Sequence, residues 1–201
     1  DNHRRKSRLV VGSHLVDSSN IKKYSSIIDT MSVKNVLLIA AKENLQVATG
    51  NIRNAFVTAP WQEKIWARCG PEFGDKQGMK VSLLKALYGC VKSALLWYEL
   101  FVGNLKDMGF ELNPYDSCVA NCMIEGKQCT VAWYVDDTKI SHVNPDVVTR
   151  VILELEKRFD KMTVTRGREH IFLGMRIRYT DENTAVITMK DYLEEAITES
   201  G

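Results

Sequence analysis

The residues Ala132-Trp133-Tyr134-Val135-Asp136-Asp137-Thr138-Lys139-Ile140 place two adjacent carboxylates between apolar runs. Adjacent aspartates at a tight turn often serve as turn formers, because Asp side chains bond their own backbone there. The apolar flanks suggest a further role. Two like charges at the centre of a largely buried hairpin repel each other, and a divalent cation relieves that repulsion. Mg2+ takes oxygen ligands from one or two carboxylates together with substrate phosphates. Such a site suits phosphoryl transfer between nucleotides, where two metal ions activate the attacking hydroxyl and steady the leaving group. The hairpin supplies two ligands, so a third has to come from a separate strand.

The elements around this pair read as an α+β order. Ser32 is a reasonable N-cap for a helix whose apolar positions are Val33, Val36, Leu37, Ala40 and Ala41. Leu45 to Ala48 reads as a strand running into Gly50-Asn51. Arg8 to Val11 reads as another short strand. The Ile65-Trp66 strand is separated from Val81 by a loop rich in glycine (Gly70, Gly74, Gly78). The strongest helical pattern lies between Leu83 and Met108, with Ala94, Leu95, Tyr98, Phe101 and Leu105 on one side and Gly109 ending the run. Cys118 to Ile124 and Cys129 to Val135 form a hairpin pattern across Glu125-Gly126-Lys127-Gln128. Asn144-Pro145 starts a helix with an apolar face of Val147, Val148, Val151, Ile152, Leu155 and Phe159. Strands are expected over Phe172 to Tyr179 and Ala185 to Met189. Antiparallel strands carrying helices on one side satisfy this order.

Composition sets the outer bounds. With 201 residues, 45% hydrophobic and 26% charged, the chain has enough apolar material for one large domain or two packed lobes. No run reaches the roughly 18 apolar residues of a membrane span. The first residues, Asp1 to Lys6, lack the apolar run of a secretory signal, and position 1 is not Met, so the chain is processed or part of something longer. Residues 1–80 hold 13 Lys or Arg against 7 Asp or Glu. A basic front half suits phosphate binding, and equally a solvated basic face. The five cysteines are odd in number and irregular in spacing, which fits buried thiols in a reducing, intracellular setting rather than a disulfide framework. Cys118, Cys122 and Cys129 brush against metal-site spacing, but no His lies near them before His142.

Several short motifs, in order along nearly the whole chain, carry a family resemblance. Tyr134-Val135-Asp136-Asp137 resembles the Tyr-x-Asp-Asp box of reverse transcriptases. Lys6-Ser7-Arg8-Leu9-Val10, Asn51-Ile52-Arg53-Asn54-Ala55-Phe56, Leu87-Tyr88-Gly89 with Trp97-Tyr98, and Phe172-Leu173-Gly174-Met175 followed by Tyr192 resemble segments of the Ty1/copia type of long-terminal-repeat retrotransposon. The resemblance implies a right-hand polymerase fold with fingers and palm, an antiparallel ferredoxin-like palm sheet with helices on one face, and a thumb largely absent. It places the fingers mainly in 1–45 and 60–95, and the palm mainly in 46–59 and 96–201. It also implies RNA-directed DNA synthesis from a template-primer and dNTP, with Mg2+ or Mn2+ held by Asp136 and Asp137. Phe56 takes the position that screens the sugar 2′ carbon. Lys6 and Arg8 reach the triphosphate, and Gly89 allows close approach of the backbone to nucleotide or template.

The pattern breaks at position 51, where the family carries Asp and this chain has Asn. Asn keeps one carbonyl oxygen and loses the charge needed to bridge two cations. Cys90, Val91, Lys92, Ala94 and Leu95 stand where the family prefers Leu, Lys, Gln, Pro and Arg, and Gly50 replaces an ordinary strand residue. Two readings remain open from the residues: a reverse transcriptase impaired at Asn51, or a non-enzymatic module that kept the fold to bind nucleic acid or protein.

Overall fold

The computed structural model describes residues 25–90 and 92–200. The strand expected over residues 8–11 lies outside them. Residue contacts divide the chain into two units, one of residues 1–25 and 54–101, the other of residues 26–53 and 102–201.

The second unit is built on a six-stranded antiparallel sheet. Its strands are β1 (Gln46–Ile52), β4 (Glu111–Leu112), β5 (Val119–Ile124), β6 (Lys127–Tyr134), β7 (Asp137–His142) and β8 (Met162–Arg166), in the spatial order β4-β5-β6-β7-β1-β8. β1, early in the chain, therefore inserts between β7 and β8. β5 and β6 turn through Glu125 and Gly126, which both have positive φ (53° and 72°), as a two-residue hairpin turn demands. The turn is thus tighter than the four-residue connection the sequence suggests.

Two helices of this unit cover opposite faces of the sheet. α4 (Pro145–Arg158) starts as expected, with Asn144 Oδ1 accepting from the Asp146 N–H and Pro145 in the first turn. Its buried residues Val147, Val148, Val151, Ile152 and Leu155 pack over β1 and β7. α1 (Thr30–Lys42) buries all five residues of its expected apolar stripe. Its N-cap is Asp29 rather than Ser32: Asp29 Oδ1 accepts from the Met31 N–H at 2.7 Å, starting the helix three residues earlier. α1 packs near β6 and near β11 (Ala185–Thr188). Alternation along the strands puts Tyr134 and Asp137, which line a groove with α1, on one face, and Ala48 and Arg166, whose guanidinium reaches Thr149 of α4, on the other. The expectation of helices on one face is corrected to this extent. Strand periodicity tells which residues share a face, but not which helix returns to it.

A three-stranded sheet, ordered β11-β10-β9, completes the unit. The single strand expected over 172–179 is in fact the end of β9 (Glu169–Phe172), a turn at Leu173-Gly174 and β10 (Met175–Tyr179). Both turn residues have positive φ (56° and 70°), so Gly174 is the residue that makes the reversal easy. α5 (Lys190–Ser200) ends the described chain.

The other unit contains α2 (Ala55–Thr58), a two-stranded ribbon of β2 (Pro60–Arg68) and β3 (Lys80–Lys85), and a 3-10 turn over Pro71–Lys76. The helical pattern expected from Leu83 begins only at Ser93. Leu83 to Lys85 belong to β3, and the segment between them and α3 (Ser93–Asp107) includes Gly89 at φ 83°. Trp97 and Phe101 on α3 are buried and stack at 5.4 Å.

Leu155 is fully buried under β1 and β7. Leu155→Ala is expected to lower the unfolding free energy by about 2–5 kcal/mol, the range for deleting a packed leucine side chain, as read from urea unfolding.

Candidate active site

The site grows from the pairing of β1 with β7. The register sets Gly50 opposite Thr138 and Asn51 opposite Asp137. It is held at three places. The Thr138 hydroxyl donates to the Gly50 carbonyl at 3.0 Å, the Ile52 N–H donates to the Asp136 carbonyl at 2.9 Å, and Asn51 Nδ2 donates to Asp137 Oδ1 at 3.1 Å. Gly50 has a structural reason. A Cβ there would lie 3.0 Å from Met162 Cε and 3.3 Å from the Thr163 carbonyl, because β8 passes close beside it.

Asp136 occupies the turn between β6 and β7 with Val135, whose φ of 55° is unusual for a β-branched residue. The turn thus aims the two carboxylates from a backbone conformation that costs energy. Asp136 and Asp137 are both half-buried. Burial holds the Asp137 carboxyl above its ordinary range; the Asn51 hydrogen bond pulls it down, and the neighbouring Asp136 charge raises it. Asn51, Asp136 and Asp137, singled out from the sequence, are therefore brought together.

Lys6 and Arg8 lie outside the described residues. Phe56, on α2, is half-buried and meets Tyr88 edge-on at 4.8 Å, within the unit that also holds Gly89. Gly89 is exposed with φ 83°, a conformation that an L side chain rarely takes.

Beside the carboxylates an open groove of about 800 Å³ runs between the start of α1 and the β9–β10 turn. Its walls include Ile28, Val33, Tyr134, Leu173 and Met189, with Asp137 and Lys34 among its few polar residues. An apolar trough with a carboxylate at its edge can seat a largely apolar surface while presenting polar chemistry at one end.

The family model for "Reverse transcriptase (RNA-dependent DNA polymerase)" matches residues 1–201. The chain belongs to this family. It is 26% identical over 178 residues to a retrovirus-related Pol polyprotein from transposon TNT 1-94 of Nicotiana tabacum, covering 87% of this chain and 13% of the relative. It is 25% identical over 152 residues to a putative transposon Ty5-1 protein of Saccharomyces cerevisiae, covering 75% of this chain and 49% of the relative. A Pol polyprotein from transposon RE1 of Arabidopsis thaliana is 26% identical over 159 residues, covering 77% and 11%. These retrotransposon relatives agree with the Ty1/copia resemblance of the motifs, and the chain spans at most about half of their lengths. A truncated apo telomerase of Candida tropicalis is similar with a TM-score of 0.45 at 12% identity, over 82% of this chain and 40% of that one.

Among the described residues, no helix is long and apolar enough to cross a membrane. Nor do three or more His, Cys, Asp or Glu residues gather there as a metal-binding group. Cys118 and Cys129 are buried thiols, pushed up to about 12 by burial.

This reverse-transcriptase-family site also holds two groups that sequence reasoning missed. Lys139 follows Asp137 by two residues on the same strand face and is fully buried. Its Nζ donates to Ser141 Oγ at 3.2 Å. Burial pulls its amine down from 10.5 to about 7, opposed by the nearby Cys129. Across the pairing, Thr49 stands opposite Lys139, and its hydroxyl lies 3.1 Å from His170 Nδ1. His170 Nε2 lies 2.8 Å from the Gly167 carbonyl, which only accepts, so Nε2 carries the proton and Nδ1 receives the threonine's. Burial, its largest influence, lowers the His170 pKa and favours this neutral form. The signal for Lys139 was its charge inside an apolar strand; nothing in the local sequence announced His170.

Lys139 sets the sign of a pH effect. Below about 7 both folded and unfolded chains bind the proton, and the fold carries the full penalty of a buried cation. Between about 7 and 10.5 only the unfolded chain binds it, so stability rises with pH. Lys139→Met is expected to raise stability at pH 7 by ~1–3 kcal/mol and to flatten this rise, as measured by urea unfolding across that range.

Proposed function

We infer that the chain is the fingers-palm part of an RNA-directed DNA polymerase whose catalytic centre is weakened at Asn51. The observation that carries this reading is the register setting Asn51 opposite Asp137, with Asp136 at the adjoining turn. That arrangement sets position 51 of β1 beside the Asp136–Asp137 hairpin, two segments of the kind nucleotidyl transfer draws its ligands from. The unit of residues 26–53 and 102–201 is assigned the palm role, and the unit containing Phe56 and Gly89 the fingers role.

The donor set fits one hard cation better than two. Asp136 and Asp137 offer carboxylate oxygens, and among the described residues the Asp136 side chain makes no hydrogen bond. Asn51 turns its amide N–H toward Asp137 and so directs a donor, not a ligand, at Asp137 Oδ1. Mg2+ or Mn2+ bound by Asp136 and Asp137 would supply charge neutralisation at the transferring phosphate. The remaining work falls to the chain's own groups. Lys6 and Arg8 are assigned to the triphosphate, as cationic donors matched to phosphate oxygens. Phe56, braced by Tyr88, is assigned to exclude the ribose 2′ hydroxyl, and Gly89 to let the backbone approach the nucleotide. Template-primer and dNTP are the substrates of this reading.

The Asn51–Asp137 hydrogen bond also favours a second reading. It satisfies the position without metal, as a retained fold serving as a nucleic-acid- or protein-binding module would need.

Primer extension on an RNA template with Mg2+ or Mn2+ separates the two. A missing bridging carboxylate worth roughly 4 kcal/mol slows chemistry about a thousandfold. Asn51→Asp is therefore expected to raise the extension rate by about that factor, and Asp136→Asn in the same background to remove the gain. The divalent ion should also raise the melting temperature of Asn51→Asp more than that of the parent. Efficient extension by the parent chain would refute the role given to Asn51; template binding without extension by either protein would favour the binding module.

A further inference from the structure

Two of the five cysteines stand directly opposite each other on the β5–β6 hairpin. The register pairs Cys122 with Cys129, and opposite residues of antiparallel strands point to the same face. Both are free thiols, and neither enters the carboxylate site. The ladder fixes the kind of pair they form. The Trp133 N–H donates to the Cys118 carbonyl at 3.0 Å, and hydrogen-bonded pairs alternate with open ones along such a ladder. Counting in steps of two from that pair toward the turn makes Cys122–Cys129 a hydrogen-bonded pair. Its Cα atoms are then about 5.5 Å apart, inside the range that a disulfide spans.

The two sulfurs differ in what can reach them. Cys129 is fully buried, and burial pushes its thiol up to about 12. Cys122 is half-buried and lines an open groove of about 470 Å³ with Gly109, Leu112, Pro114 and Gln128. A Cβ at Gly109 would come to 3.8 Å from Cys122 Sγ, so the glycine keeps a side chain off that sulfur. Glu111 also lines the groove, and among the described residues no Lys or Arg does. A small uncharged oxidant therefore suits this groove better than an anionic one such as glutathione disulfide. Among the described residues no third His, Cys, Asp or Glu joins the pair as a metal-binding group.

From this juxtaposition we propose that Cys122 and Cys129 form a reversible cross-strand disulfide, Cys122 meeting hydrogen peroxide and Cys129 resolving the product. In the first step Cys122 Sγ, as thiolate, bonds to one peroxide oxygen and the O–O bond breaks. The departing hydroxide takes a proton from solvent and leaves as water, and Cys122 becomes a sulfenic acid. In the second step Cys129 Sγ bonds to Cys122 Sγ and the S–O bond breaks. The hydroxyl leaves with the Cys129 proton as water, so two thiols are oxidised and one peroxide is reduced. The bond is strained. Cross-strand Cβ atoms lie about 4.5–5.5 Å apart, hydrogen-bonded pairs at the wide end, whereas a disulfide holds them at about 3.5–4.5 Å. Closing that gap draws the strands together, and such strain makes a disulfide easier to reduce. The pair is therefore suited to cycling rather than to permanent cross-linking.

The test treats the full chain with hydrogen peroxide, blocks remaining thiols with iodoacetamide under denaturing conditions and digests with trypsin. Cleavage after Lys106, Lys127 and Lys139 puts Cys122 on the 107–127 peptide and Cys129 on the 128–139 peptide. The expected product is these two peptides joined, lighter than their sum by the hydrogens lost. Reduced glutathione, given to the folded protein before blocking, should separate them again. The 107–127 peptide also carries Cys118, so Cys118→Ala should keep the joined pair and Cys122→Ala should abolish it. In Cys129→Ala, which lacks the resolving thiol, dimedone should capture Cys122 as the sulfenic acid. Dimedone passes over the sulfoxide of the neighbouring, exposed Met123. Circular-dichroism melts establish that each variant is folded, and Cys122→Ala, at a half-buried position, keeps the test decisive if Cys129→Ala does not fold.

Accumulation of sulfinic or sulfonic acid at Cys122 of the folded parent, without joined peptides, would overturn the proposal, because Cys129 would not be resolving it. Joining through Cys118 as often as through Cys122 would do the same, since the register would not be choosing the partner. So would a bond that withstands glutathione, which would be a structural cross-link, or one that runs as a dimer on a non-reducing gel. None of these readouts involves primer extension, so the thiol pair stands or falls apart from the polymerase reading.

Discussion

The antiparallel register between β1 and β7 is the constraint on which the site depends. Because side chains alternate faces along a strand, a slip of one residue would turn Asn51 away from Asp137 and put Gly50 in its place. Several independent features oppose that slip. Gly50 leaves no side chain where Met162 and the β8 backbone pass, the Thr138 hydroxyl is tied to the Gly50 carbonyl, and the end of β1 donates to the Asp136 carbonyl. The substitution of glycine for an ordinary strand residue is thus an accommodation to the neighbouring strand, with the register intact around it.

Along one face of β1 and β7 the chain has placed a polar strip inside otherwise apolar packing: Asn51 and Thr49 on one strand, Asp137, Lys139 and Ser141 on the other, with His170 closing over Thr49 from β9. Each group answers to burial in its own way. Asp137 is held toward its protonated form, Lys139 toward its neutral amine, and His170 in one neutral tautomer. Burial thus disfavours charge throughout the strip, and the exchange of Asp for Asn at position 51 runs in the same direction. The apolar framework of α4, α1 and β6 carries the stability that lets this strip persist.

The two units differ in how their charge is used. In the carboxylate unit, acidic groups meet basic partners in local pairs such as Arg150 with Glu125 and Lys157 with Glu154, which are exposed and contribute little beyond shaping the surface. On the β2–β3 ribbon, Arg68 and Lys80 face each other, and among the described residues neither has such a partner. The basic bias of the first 80 residues therefore includes a defined pair on an open face as well as scattered surface charge.

Local chemistry made much of this legible from residues alone. The Asp136-Asp137 turn, the five buried positions of α1 and the Asn144-Pro145 start of α4 all follow from short-range patterns. Such features are set by neighbours one helical turn or one strand residue away, so the sequence states them directly. Where local signals competed, the reading was displaced. Asp29 outbid Ser32 as the cap of α1, and Leu83 to Lys85 joined a strand although their spacing suited a helix. Only the tertiary structure decided that Asn51 donates to Asp137, that Met162 sits where a side chain at 50 would go, that Lys139 is buried, and that His170 comes from β9 to meet Thr49. Those outcomes join residues far apart in the chain. They depend on which strands become neighbours and in what register, and that is settled by the packing of the whole sheet rather than by any segment of it.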